Sequence, residues 1–318
     1  MAITRTGTPT QGTWDATSWV PELYANKVLY DFWIKSVYQD VTNTDYEGDF
    51  KNMGDKIYIR QAPEIAVGDY TVNGTVTYEL PSEASQTMTI DYAKYTAFKC
   101  DDIDKLQTDI DLLSMYAEDG ANRLRVEIDD IVLTEMGSGA HASNKGATAG
   151  LLSGDLDLGS NATPGTTDAV QVTSTNAVTK IVEANLCLDE QNIDSTERFG
   201  IIPSWWSAML KLGDLKAANI TGDQTGVIRN GLIGQIDGSN IYVSNNLNSN
   251  ADGDSDTGYE SIFGRKEATS FAMQISKSDT VTLENSFGTG VRTLIVFGTK
   301  VIRPEALVNI FVKKETPA

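Results

Sequence analysis

A run of apolar residues at helical spacing constrains this chain more than any other feature. Ile103, Leu106, Ile110, Leu113, Ala117, Ala121, Leu124, Ile128 and Ile131 recur at steps of three and four, the stripe that one face of an α-helix presents. The other face is charged, with Asp101/Lys105, Lys105/Asp109, Asp119/Arg123, Arg123/Glu127 and Arg125/Asp129 each four residues apart, where opposite charges support a helix. Asp101 or Asp102 is placed to cap the start, and Gly137 is placed as the glycine just past the end. The spacing therefore predicts one helix over 101–136, about 36 residues and roughly 50 Å long. That is about three times the usual length, and it suits a strut in an extended molecule.

The chain before the strut is different. Residues 1–20 are rich in Thr and Gly and read as a loose arm. A short amphipathic helix is expected over 21–37, with Pro21 in its first turn and Leu23, Val28, Trp33 and Val37 apolar. From 41 to 95 the pattern turns to β. Ile57 and Ile59 alternate after a Gly54-Asp55 turn, residues 66–78 alternate around Asn73-Gly74, a hairpin signal, and Met88, Ile90 and Tyr92 form a return strand. This excursion has few large apolar residues. It must pack on something else or protrude.

After the strut, 137–167 is rich in small residues and reads as loops and short strands. A helix follows near 176–191. Phe199-Gly200-Ile201-Ile202 reads as a buried strand, and Pro203 ends it and opens a helix carrying Trp205, Trp206, Met209 and Leu210. Residues 230–245 form a hairpin turning at Asp237-Gly238. The last strong signal is a β run, VRTLIVFGTKVIRPEAL, that Pro304 stops.

Charge and chemistry narrow the function. A net charge of −19 argues against a dedicated nucleic-acid binder, which needs a basic footprint. No apolar run is long enough for a membrane helix, and the polar start lacks the apolar core of a secretory signal, so a cytoplasmic setting is expected. Cys100 and Cys187 lack metal-type spacing and read as buried free thiols. The one histidine, His141, lies in a Gly/Ala-rich loop and reads as a surface residue, not part of a catalytic triad. The carboxylate pairs Asp101-Asp102 and Asp129-Asp130 read as a cap and a solvated face. Asp252, Asp254 and Asp256 alternate as in a calcium loop, but the glycine and glutamate such a loop requires are missing. They remain candidate metal ligands, with a solvated acidic loop the favoured reading. No nucleotide motif is present, and Trp205-Trp206 reads as a core junction before a sugar site. Neither a catalytic residue nor a cofactor is expected.

Taken in order, five segments resemble the major capsid proteins of tailed bacteriophages, which share the Hong Kong 97-type fold. They are GDFKNMGDKIYIRQAP, the helix over 101–136, RFGIIPSWWSAML, GLIGQIDGSNIYVSNNL and the closing strand with VIRPEAL. The resemblance implies an α+β fold: an N-terminal arm (1–45), an extended β loop (46–95), a peripheral domain with a long spine helix (96–170 and 285–318), and an axial domain (171–284). It implies that Val67, Tyr70, Val72, Asn73, Gly74, Val76, Tyr78 and Glu79 contact a neighbouring subunit. Ile103, Leu106, Ile110, Leu113, Leu124, Ile128 and Ile131 would form the spine's core face.

The implied function is a structural protein, not an enzyme, that assembles as hexamers and pentamers into the icosahedral head of a double-stranded DNA phage. The expected partners are further copies of the chain, a portal protein and a separate scaffolding protein, with the presence of a decoration protein left open. DNA would be packaged without specific binding, which the negative charge suits, and no membrane is involved. Assembly would take place in the host cytoplasm. The chain departs from relatives that weld neighbours through a loop lysine, because residues 61–93 contain no lysine or arginine. The competing readings are an encapsulin-type nanocompartment shell and, from another class, a secreted calcium-assisted adhesin or glycan binder.

Overall fold

The structure, a computed structural model, describes residues 36–45, 56–61, 65–80, 84–107, 112–161, 168–213, 234–252, 256–284 and 287–315. Of the helix expected over 21–37, residues 21–35 lie outside them. Two larger sheets, a two-stranded one and one long helix organise the described residues.

The strut is helix α3 (Leu112–Gly139), preceded by the short helices α1 (Tyr38–Val41) and α2 (Asp102–Gln107). Asp101 does cap the start of α2, its Oδ1 accepting the Ile103 N–H at 3.0 Å. At the other end Gly137 is not a terminator, and the helix continues to Gly139. Both glycines serve close packing. A Cβ on Gly137 would lie 2.6 Å from Glu260 Oε2, and one on Gly139 2.5 Å from Val301 Cγ2, closer than atoms tolerate. Lacking side chains, they let the helix end press onto the strands beneath it.

The first sheet has three antiparallel strands in the order β10-β11-β3, where β3 is Tyr92–Asp101, β10 is Thr269–Thr282 and β11 is Gly288–Val301. Exposure along β3 alternates, as expected for a sheet with one covered face. The covered face meets α3. Phe98 and Tyr116 rings pack edge-on with centroids 5.7 Å apart, Lys94 pairs with Glu127 at 2.6 Å, and Gly120 leaves room for Thr96.

The second sheet has the order β4-β12-β9-β5-β7-β6, with β8 paired to β9. Its strands are β4 (Val170–Val172), β5 (Arg198–Ile202), β6 (Gln235–Ile236), β7 (Ser239–Val243), β8 (Ser249–Ala251), β9 (Thr257–Arg265) and β12 (Leu307–Lys314). Helices α4 (Ala177–Glu190) and α5 (Ser204–Leu212) pack against it. Ile181, Leu188, Trp206, Leu210, Phe263 and Ile310 form one core there. A second core, containing Val132, Leu133, Met136, Phe199 and Phe297, joins the end of α3 to both sheets. The Asp237-Gly238 turn is as expected, both residues taking positive φ, the conformation of the tight turn that fits strand twist.

One expectation is corrected here. Residues 65–80 contain the turn at Asn73-Gly74 but no regular strands on either side. Without a packed face, alternation alone cannot hold a ladder. The β run does stop before Pro304, β11 ending at Val301, but Pro304 is not the last of the β structure. It opens a 3₁₀ turn, Pro304–Ala306, and β12 follows with its first six residues buried. β12 pairs with β4 and β9, whereas β10 pairs with β11 beside the strut.

Candidate assembly surfaces

Residues 65–80 form the most exposed apolar segment described. Ile65, Val67, Tyr70, Val72, Val76, Tyr78 and Leu80 all face solvent, Val67 at 99% and Tyr78 at 92% of full exposure. The polar tie across the loop is local: Glu79 Oε2 accepts the Ala66 N–H at 3.1 Å. The root is different. β1 (Lys56–Gln61) and β2 (Ala84–Thr89) pair antiparallel, and Ile59 and Met88 are buried against Ala272 and Ile302. A packed root thus carries a bare apolar loop, and exposed patches of this kind mark contact surfaces. Val67, Tyr70, Val72, Asn73, Gly74, Val76, Tyr78 and Glu79, the expected contact residues, all lie together on this loop.

The expected spine residues divide. Leu124 and Ile128 are buried, Ile131 is partly buried in the core that joins the sheets, and Leu113 is half-buried. Ile103 and Leu106 are exposed on α2, at 61% and 87%, so they are not core. α2 lies beyond the end of the three-stranded sheet, where the Asp102 N–H donates to Phe287 O and Phe287 is itself exposed. Ile110 lies outside the described residues.

The face of the three-stranded sheet turned away from α3 was not singled out from the sequence. Cross-strand register places Tyr95 beside Leu294 and Leu294 beside Lys277, and Ala97 beside Arg292 and Arg292 beside Asp279. Two surface depressions of about 450 and 420 Å³ lie here. Hydrogen bonding from Lys277, at 3.1 Å, and the nearby Arg292 hold Asp279 below the usual carboxylate range. The signal was available in the alternation of Ala93, Tyr95, Ala97 and Lys99, which are all exposed.

The candidate chemistry resolves into structure. Asp252 is buried and its carboxylate is taken by Lys313, with Nζ–Oδ2 at 2.6 Å, and by the Ala169 N–H at 3.3 Å. It does not belong to a solvated cation loop. Asp256 hydrogen-bonds back through its carbonyl to the Asp252 N–H, and Asp254 lies outside the described residues. His141 Nδ1 accepts the Ser143 N–H and caps a 3₁₀ turn. Trp206 is fully buried, donating its Nε1–H to Ala177 O at 3.2 Å, which fits a core junction and not a sugar platform. Both cysteines are free and buried, and burial pushes the Cys187 thiol up to about 12. Among the described residues no helix is long and apolar enough to cross a membrane.

Comparison with known proteins agrees with this layout. The family model described as phage capsid protein matches residues 82–310, most of the chain. Among solved structures, one from Mycobacterium phage Che8 superposes with a TM-score of 0.75 at 23% identity, covering 92% of this chain and 97% of that one. The capsid of Cyanophage P-SCSP1u gives 0.70 at 16%, with 94% of each chain covered. A subunit of the bacteriophage PhiM1 mature capsid gives 0.67 at 12%, covering 98% and 100%. At these identities the superpositions establish the fold. No curated protein matches the sequence. With an α+β Hong Kong 97-type fold and a family match over most of its length, the chain belongs to the phage capsid protein family and is a structural major capsid protein.

Proposed function

We propose that the chain assembles as hexamers and pentamers into the icosahedral head of a tailed, double-stranded DNA phage, with the loop over 65–80 laid across a neighbouring subunit. The observation that carries this reading is the contrast between the buried root at Ile59 and Met88 and the bare apolar loop above it. The loop leaves its large side chains in water within one chain, and a second subunit supplies the missing burial. Charge adds direction. Residues 65–80 carry Asp69 and Glu79 and no Lys or Arg, while Lys99, Lys277 and Arg292 line the outer face of the three-stranded sheet. That face of the neighbour is the complementary surface.

In this reading α2, α3, β3, β10 and β11 form the peripheral unit around the spine. β4 to β9, β12, α4 and α5 form the axial unit, and residues 1–45 form the N-terminal arm. A portal and a separate scaffolding protein take part in building the head, which assembles in the host cytoplasm. DNA is contained without specific contact, since a wall with net charge −19 per subunit repels its contents.

Replacing residues 67–79 by a short Gly/Ser linker tests the assignment. The variant is expected to stay soluble, to unfold cooperatively and to keep its helix content by circular dichroism, while electron microscopy shows no closed shells. Unfolding of the subunit, or intact shells from the variant, contradicts the loop's role. The nucleic acid content of purified wild-type shells decides between a DNA head and a protein-filled nanocompartment.

A further inference from the structure

Residues 75–80, Thr-Val-Thr-Tyr-Glu-Leu, have the composition of a strand. The first four are β-branched or aromatic, and Val76, Tyr78 and Leu80 alternate onto one face. Within the chain they form no ladder. The turn before them closes through the Gly74 N–H to Thr71 O at 2.8 Å, and the Glu79 carboxylate accepts the Ala66 N–H. Among the described residues no backbone N–H or carbonyl of 75–80 has a partner.

β3 has the matching deficit. It is an outermost strand of the three-stranded sheet, paired with β11 from Tyr92 to Asp101 and, among the described residues, with nothing on its other side. Its ten residues span about 34 Å, longer than the roughly 20 Å that six residues need. Every second residue of such an edge turns its N–H and carbonyl outward, a template for another strand. The sheet's second edge, β10, is set aside by two observations. Its start is already bridged, the Asn43 N–H donating to Thr269 O at 2.9 Å and the Phe271 N–H to Asn43 O at 2.8 Å. Farther along it carries Lys277 and Asp279, paired at 3.1 Å, and edge charges discourage strand addition. The cross-strand rows agree. Tyr95–Leu294–Lys277 and Ala97–Arg292–Asp279 each run from an uncharged side chain on β3 to a charged one on β10, and Tyr95 is 74% exposed.

We propose that residues 75–80 of one subunit add to the β3 edge of a second copy as a fourth strand, with Val76, Tyr78 and Leu80 extending the rows that end at Tyr95 and Ala97. The inference rests on the reading that the loop lies across a neighbouring subunit, and it names how the loop is held there. Main-chain hydrogen bonds supply the attachment, and the alternating side chains set the register. Backbone groups left to water in one chain gain partners between two.

The test replaces Val76, Thr77, Tyr78 and Glu79 of the full-length chain, one at a time, by proline and by alanine. Proline has no N–H and is tolerated in an edge strand only where that N–H would point away from the ladder. None of these N–H groups is bonded within the subunit, so every variant should melt within about 2 °C of wild type before assembly. A larger loss would mean that the loop is held by its own chain, against the proposal. Under conditions in which the wild type builds shells, counted by electron microscopy, proline should do more harm than alanine at alternate positions, 76 and 78 or 77 and 79, and no more harm at the other two. A wild type that builds no shells refutes the head and this contact together. With wild-type shells in hand, any pattern without that alternation overturns the strand pairing alone. Oxidised particles of double variants then identify the edge. Tyr78→Cys with Tyr95→Cys or Ala97→Cys should give reducible ladders of subunits, because cross-strand neighbours lie close enough to bridge. Ladders only from Tyr78→Cys with Lys277→Cys or Asp279→Cys, or from no pair, overturn the assignment to β3.

Discussion

The Asp129 carboxylate accepts the backbone N–H of Val37 at 2.8 Å, across 92 residues of chain. The same oxygen takes the Tyr38 N–H at 2.9 Å, and the other is reached by Asn246 Nδ2 at 3.3 Å. Asp129 is fully buried. It pins the start of α1 to the spine helix α3. Asp129→Ala should cost about 2 kcal/mol in denaturant unfolding of the unassembled subunit, because two buried N–H groups lose their acceptor.

Asp129 also predicts a pH dependence. Burial raises its pKa above the ordinary 3.8, the N–H groups of Val37 and Tyr38 opposing. A carboxyl raised in the folded state contributes stability at pH below its unfolded value, and that contribution is lost as pH climbs through the raised value. The Asp129→Asn side chain cannot ionise and escapes this loss. Unfolding curves of that variant should therefore improve relative to wild type between pH 4 and neutrality; a gap that does not change with pH would contradict the assignment.

The spine residues give a paired prediction. Leu124→Asp places a charge in the core and should cost several kcal/mol, about 4 or more, leaving the protein insoluble on expression. Leu106→Asp, at a matching position of the same sequence stripe but 87% exposed, should stay within about 0.5 kcal/mol of wild type in stability. Any loss it shows should appear in shell assembly by electron microscopy, not in melting.

Gly200 lies in the fully buried strand β5, and a Cβ there would come 2.5 Å from the Phe263 ring. Gly200→Ala should destabilise by about 1–3 kcal/mol through overpacking. Gly68→Ala, with nothing within 4 Å, should leave the denaturation midpoint unchanged. Equal effects from the two would show that the tight contact at Phe263 is relieved at no cost.

Purified particles should dissociate fully on boiling in detergent. Residues 61–93 contain no lysine to form an isopeptide link, and both cysteines are buried and unpaired. A single band near 34.5 kDa is expected with and without reductant. A ladder of covalent oligomers would locate a cross-link outside the loop.

The sequence by itself determined the elements whose periodicity is local. The helix over residues 177–190, the strand–Pro–helix unit at 198–212, the Asp237-Gly238 turn and the second half of the spine follow from spacings of two, three and four with turn residues between them. It also determined that 65–80 could not bury itself, since a segment with so little beneath it has no partner within its own reach. Tertiary structure decided what depends on residues far apart in the chain. Leu106 and Leu124 carry the same stripe, yet only Leu124 meets the core, because burial depends on what lies opposite and not on periodicity. Gly137 resembles a helix terminator, but Glu260 and Val301 leave no room for side chains at 137 and 139, so the helix passes through both. The hydrogen bonds from Val37 to Asp129 and from Asn309 to Gly137 join residues 92 and 172 apart. No local rule encodes such pairings, which exist only once the strands and the spine have closed around them.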